Sequence, residues 1–317
     1  MVTYRPFRNT DPPALAALWR SRAGQAGLFQ PISVDLLEQM VFAKLYFDYG
    51  GLWLAWDDAE PVGFAHAGFG PNAEQNWTST EAGITCMLLV RPGCAETEVC
   101  GGLLDRCEEY LRGRGARVLY GGGLAPLSPF YVGLYGGSEL PGVLDSDTTA
   151  RQTFAARGYQ ETERSSLLRR ELSGFESFMS RQQMQVRRQM IVEVRVDVPT
   201  RNWWEACALG EFDLTRFDLL PRTGGPPIAS AMFRTMEPGG TTYAGRAMGL
   251  MELMVGEPYR RHGLTVFLLS EAFRQFLRQG IVHVDVQVRQ SNAAALALFQ
   301  KLGFQQVDQG GVWRKDA

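Results

Sequence analysis

VGEPYRRHGLTVFLL, residues 255–269, joins two stretches of different hydrophobic period. Upstream, GLMELMV (249–255) is an apolar run of strand length. Downstream, Leu264, Leu268, Ala272 and Phe276 recur at helical spacing, and Gly280 supplies a stop. The join, GEPYRRHG, is a loop with two arginines. A strand that feeds such a loop into a helix amino terminus offers successive backbone N–H groups at the positive end of the helix dipole, which is an anion site. Gly263 lets backbone approach a phosphate with no Cβ in the way, and Arg260 and Arg261 add charge. IVHVDVQV (281–288) then alternates as a buried strand does. SNAAALALFQKLGF comes next, with a capping Ser or Asn, an alanine-rich helix and a terminating Gly303.

The earlier half of the chain repeats this order. GITCMLLV (83–90) reads as a strand, RPGCAETEVCGG as a loop, LLDRCEEYLRGRG as a helix and ARVLYG as a strand. DTTARQTFAARGY closes the copy, ending in Gly158 as the other ends in Gly303. Between strand and last helix the first copy carries a Gly/Pro-rich insertion, 121–146. Each copy also has strand patterns upstream: TYRPFR, GLWLAW and PVGFAHAGF in the first, MIVEVRVDV, FDLTRFDLL and PIASAMFRTM in the second. The first has helical segments between its early strands, whereas the second has only the short RNWWEACALG, with Trp203 and Trp204. Duplication is the economical reading. It predicts a first domain over 1–170, a polar, partly helical linker over 171–189 anchored by Phe175 and Phe178, and a second domain over 190–317.

Composition narrows the function classes. With 45% hydrophobic and 21% charged residues, 317 residues make about two globular domains. A net charge of −2 with interspersed signs gives no electrostatic case for nucleic acid or an anionic membrane. The five cysteines are odd in number and lack metal-ligand spacing, and the three histidines are scattered at 66, 262 and 283. No disulfide framework or metal site is expected, and a reducing cytoplasm is the expected compartment. The opening MVTYRPFRNTD lacks the apolar run of a signal peptide, and no membrane span is expected.

Val255, Pro258, Arg260, Gly263 and Thr265 stand in register with one signature, and Asn292, Ala295, Phe299, Gly303 and Phe304 with a second. Together they resemble the GNAT superfamily of acyl-CoA N-acyltransferases. The resemblance implies an α/β (α+β) fold of two tandem GNAT-type domains, each a mixed, mostly antiparallel sheet flanked by helices. It implies acetyl-CoA as acyl-donor cosubstrate and a small-molecule amine as acceptor. The contacts it places on the donor come from Leu253, Met254 and Val255 of the strand, from Arg260, Arg261, His262, Gly263, Leu264 and Thr265 of the loop and helix start, and from Asn292 and Phe299. Glu252, on the same strand, is either a general base for the acceptor amine or a strand-end carboxylate reaching solvent or an arginine.

Two departures stand out. Many members of the family carry a tyrosine where Phe299 stands, to protonate the leaving thiolate; phenylalanine has no such proton. Tyr259 is poorly placed to replace it, and Tyr131 or Tyr135 of the first copy are alternatives. Second, aligning Val90 and Pro92 with Val255 and Pro258 puts Ala95, Glu98 and Cys100 at the Arg, Gly and Gly/Ala positions. Carboxylates there would repel a pyrophosphate, so the first domain reads as having lost ordinary CoA binding. Asp147 takes the Asn position and Phe154 repeats the missing tyrosine. A direct-attack N-acetyltransferase is the expected function, with a non-catalytic acyl-CoA sensor as the alternative.

Overall fold

The computed structural model describes residues 1–176, 180–236 and 246–317; Phe178, one of the two expected anchors, lies outside them. The chain divides into two compact units that are not contiguous in sequence: Met1–Ser166 with Thr200–Glu211 and Asp308–Ala317, and Leu167–Pro199 with Phe212–Val307.

In the first unit β1 (Val2–Pro6), β2 (Leu52–Asp57), β3 (Glu60–Pro71) and β4 (Thr78–Val90) form an antiparallel meander, with α1 (Pro12–Ser21) and α2 (Val34–Leu37) between β1 and β2. The chain then crosses over through α3 (Glu96–Gly113) to β5 (Val118–Gly121), which runs parallel to β4. A parallel neighbour requires such a crossover. Val99, Leu103, Leu104, Cys107 and Leu111 of α3 recur at helical spacing and are buried in the core of this unit. On the far side of β5 lies the end of β13 (Gln305–Asp316), antiparallel, with Trp313 opposite Gly121. The short β6 (Val143–Leu144) pairs the same strand at Gly310 and Gly311.

The second unit begins with α5 (Arg181–Gln189), then β8 (Met190–Val196), β9 (Leu214–Pro221), β10 (Ala229–Thr235) and β11 (Arg246–Val255), again antiparallel. The crossover helix α7 (Leu264–Arg278) leads to β12 (Ile281–Arg289), parallel to β11, and then to α8 (Ala293–Lys301). Leu268, Leu269, Ala272, Phe273 and Phe276 of α7 fill the core between helix and sheet. Leu167–Glu171, the end of β7 (Gln160–Glu171), lies beside β12 and is tied to it by Arg169, whose guanidinium grips Asp285 with two 2.8 Å hydrogen bonds.

The expected strands and helices are present, but the expected boundaries 1–170, 171–189 and 190–317 differ from the compact units. Hydrophobic pattern marks the copies; backbone hydrogen bonding assigns the strands. The last ten residues join the first unit, and 171–189 is no linker: Val186 of α5 is buried in the second core and Phe175 packs edge-on against Phe273 at 5.5 Å. The segment around α6 (Trp203–Leu209) belongs to the first unit, where Trp204 stacks on Tyr46 at 5.0 Å and Trp203 on Trp77 at 5.1 Å. Those tryptophans are packing residues. Among the described residues no helix is long and apolar enough to cross a membrane, and no three potential ligands gather as a metal site. The five cysteines are free thiols.

Trp313 should test the dependence of the first unit on the last strand. Its side chain is 8% exposed among Phe154, Tyr159 and Leu119. Trp313→Ala is expected to lower the stability of that unit by about 3–5 kcal/mol in urea unfolding. A change below about 1 kcal/mol would mean the strand is an accessory to the sheet.

Candidate functional site

The parallel ladder between β11 and β12 runs from Arg246–Ile281 to Leu250–Val286 and stops. Immediately beyond, the register with β10 slips: Phe233 faces Leu250, Met232 faces Glu252, and Met251 has no opposite residue. This is a β-bulge, which bends its strand and re-aims the residues beyond it. The pairing with β12 is not continued past Leu250. Leu253 and Val255 pack against the core, so alternation sends Glu252 and Met254 to the opposite face. Glu252 is half-buried and Met254 is 56% exposed.

The strand ends in a loop built for a helix start. Glu257–Tyr259 make a single 3₁₀ turn, Arg261 is left-handed at φ 65° and Gly263 is left-handed at φ 74°. Chain that alternates between hands turns successive N–H groups to one side, a concavity that suits an anion. No side chain caps α7 and no acidic residue lies in its first turn, so its leading N–H groups and dipole are uncompensated. Arg260, Arg261 and His262 are exposed, Leu264 is buried and Thr265 half-buried. Arg260 reaches back to the Val255 carbonyl at 3.4 Å. Sequence reasoning missed Gln182 and Gln183 of α5. Gln183 donates to the Gly263 carbonyl at 3.1 Å, and a Cβ on Gly263 would lie 3.0–3.2 Å from both glutamines. No sequence signal marked them, because their segment reads as a polar connector.

Asn292 and Phe299 sit on α8. Asn292 caps the helix, its side-chain oxygen accepting from Ala295 N–H at 3.1 Å. Phe299 is 3% exposed, with its ring edge-on to Phe304 at 5.1 Å.

The first unit carries the same device. Its parallel ladder ends at Thr85–Gly121 and its bulge falls at Cys86, so one separation of 165 positions relates Thr85 to Leu250, Gly121 to Val286 and Val90 to Val255. Asp147 caps α4 (Thr148–Ala156) from φ −88°, ψ 70°, against φ −92°, ψ 70° for Asn292. Phe154 meets Tyr159 edge-on at 5.1 Å, as Phe299 meets Phe304. The loop differs. It spans only residues 91–95, three fewer than 256–263, so Ala95, and not Glu98, takes the helix-start position of Gly263. Glu96 and Glu98 fall in the first turn of α3, where their charges compensate the dipole.

The space past the ladder is also filled in the first unit. Cys86 to Val90 are each 6% exposed or less. What remains is a cavity of about 20 Å³ lined by Thr85 to Leu88, Gly142, Val143, Phe154 and Tyr135 of the insertion. Tyr135 accepts from Leu144 N–H at 2.9 Å, and Tyr131 pairs with His66 Nδ1 at 2.9 Å. His66 is fully buried, and burial lowers its pKa to about 3, so it stays neutral. Both tyrosines are buried within the first unit. His283 is likewise buried, 3.8 Å from Asp285.

Residues 188–304 match the acetyltransferase (GNAT) family. This segment is a GNAT domain. A 55-residue stretch is 38% identical to the [ribosomal protein bS18]-alanine N-acetyltransferase of Escherichia coli; it is 17% of this chain and spans 37% of that protein's length. Over its full length the chain superposes on a tandem GNAT protein from the clavulanic acid biosynthesis pathway, with a TM-score of 0.71, 12% identity and 98% of that chain covered. A GCN5-related N-acetyltransferase from Sphaerobacter thermophilus gives 0.65 at 14% identity, covering 99% of this chain and 95% of that one. At such identities the likeness concerns fold, and it places a GNAT-type fold over both units.

The cap offers a direct test of the site's framework. Asn292→Ala should cost the GNAT domain about 1 kcal/mol in unfolding free energy, and Asn292→Asp close to nothing, because Asp caps as well as Asn. Equal losses for the two would assign Asn292 some task other than capping.

Proposed function

We propose that the second unit transfers an acetyl group from acetyl-CoA to a primary amine of a small-molecule acceptor, by direct attack with both substrates bound. The observation that carries it is the asymmetry between two superposable frameworks. One helix start is acid-free and comes after a left-handed glycine, with an accessible strand end before it; the other is acidic, with its strand end buried.

The donor supplies an activated thioester carbonyl. The N–H groups leading into α7, with Arg260 and Arg261 at the rim, suit its pyrophosphate. The backbone groups of Leu253 and Met254, beyond the end of the β12 ladder, suit the amides of the pantetheine arm and the polarised carbonyl oxygen. Phe299 lies where Phe154 lines the equivalent space in the first unit, which supports its place beside the arm. In the transfer the amine nitrogen bonds to the carbonyl carbon as the carbon–sulfur bond breaks. Glu252, one residue past the bulge, takes the proton released by the nitrogen, directly or through water. Phe299 gives no proton to the sulfur, and a thiolate is a good enough leaving group to depart without one.

The rival reading, an acyl-CoA sensor without turnover, is favoured by phenylalanine at both 154 and 299. Release of free CoA thiol against a panel of primary amines separates the two: turnover above the no-amine background supports transfer, and saturable binding without thiol release supports sensing. Calorimetry should give one acetyl-CoA per chain. Glu252→Gln should lower kcat by about 10²-fold with little change in acetyl-CoA affinity, because general-base assistance is typically worth 10²–10⁴. An unchanged kcat would return Glu252 to the role of a strand-end carboxylate.

A further inference from the structure

The first unit keeps a remnant of the same channel, and its charge has been reversed. Outside the small space closed by Tyr135 lies a second, open cavity of about 300 Å³. It is lined by Ser21, Arg22, Gly24, Gln25, Pro92 and the helix start Ser146–Thr149. Asp147 lines both spaces, and the inner one has room for about one water molecule. A ligand there is short; no thioester arm can extend past Tyr135.

The electrostatics select its sign. Each of the five buried carboxylates among the described residues has a cationic partner: Asp11 has Arg5, Glu108 has Arg112 and Lys315, Glu205 has Arg201, Asp218 has Arg195 and Arg216, and Asp285 has Arg169. Asp147 differs. One oxygen accepts from the Ala150 N–H at 3.2 Å and the other from the Gln25 amide at 3.1 Å, both neutral donors. The nearest cation, Arg22, is spent on Glu96 at 2.8 Å and on the Val90 carbonyl at 2.6 Å. Glu96 also accepts from the Thr149 hydroxyl at 3.0 Å. Asp147 and Arg22 line the cavity, and with Glu96, which holds Arg22 from outside it, the three carry one net negative charge; burial pushes the pKa of Asp147 up. The hydroxyls of Ser21, Ser146 and Thr148 add neutral hydrogen-bonding groups to the wall.

We infer that this cavity is a binding site for a small protonated amine bearing a hydroxyl or similar polar group, seated with its ammonium against Asp147. The site is separate from the acyl-donor site and stands whether or not the second unit catalyses transfer.

Ethanolamine and N-acetylethanolamine, a neutral counterpart that keeps the hydroxyl, are the probes, titrated calorimetrically into the full chain at fixed ionic strength. Saturable binding of ethanolamine alone is expected. Asp147→Asn keeps the helix cap, since Asn caps as well as Asp, and removes only the charge; it should weaken ethanolamine at least about tenfold, the loss that corresponds to roughly 1.4 kcal/mol of charge interaction. Gly24→Leu fills the cavity, and a Cβ at Gly24 meets nothing within 4 Å, so the fold tolerates it; binding should vanish. Both variants should keep the wild-type stoichiometry for acetyl-CoA, which separates this site from the other. Equal binding of the two probes, or ethanolamine binding untouched by both variants, overturns the inference.

Discussion

The termination of a hydrogen-bonded ladder is the constraint on which the site depends. Parallel pairing between β11 and β12 holds as far as Leu250 and Val286, and the bulge at Met251 turns the rest of the strand out of register. Backbone amides left without partners are costly when buried and valuable when a ligand can take them. Every residue assigned to the donor on β11 lies past that point. The loop then continues the same theme, with two left-handed residues and an uncapped helix start. The proposed site is thus made chiefly of main chain, with the arginines on its rim exposed.

The first unit shows what happens when the same strand end is covered from within. Its ladder stops at the equivalent pair and its bulge falls at the equivalent residue. There the chain supplies its own filler. The insertion folds back so that Phe130, Tyr131, Leu134 and Tyr135 are buried, and Tyr135 lines the remaining space. A strand end left open sacrifices packing, and burying five residues and an aromatic ring recovers it.

Much of this is legible in residues. The change of period at Val255–Leu264 locates a strand, a loop and a helix, and the pairs Val90/Val255, Gly158/Gly303 and Phe154/Phe299 expose the duplication. Three features escape. The segment 305–316, apolar only at Val307, Val312 and Trp313, carries no alternation that marks a strand or its hydrogen-bonding neighbour, so pattern alone puts the last ten residues in the wrong unit. The shortened loop of the first copy is hidden because a proline comes after the strand in both copies, at different distances. Gln182 and Gln183 lie in a segment whose polarity reads as solvent exposure, yet a helix amino terminus is a polar surface that polar side chains can cover.

The two copies finally differ in how they treat one piece of helix physics. The amino end of a helix carries partial positive charge, and a protein can leave it for an anion or neutralise it. At α7 the first turn holds Leu264, Thr265 and Val266, and nothing cancels the field. At α3 it holds Glu96, Thr97 and Glu98, and Glu96 goes on to absorb Arg22, the one cation lining the cavity beside it. At this helix start both the dipole and the arginine are therefore matched by carboxylates. This leaves Asp147 with only neutral partners, where its counterpart in the second unit is the uncharged Asn292. A change from anion-seeking to cation-seeking at one corner of a fold therefore needs no new architecture, only two carboxylates at a helix start and one at the next helix's cap.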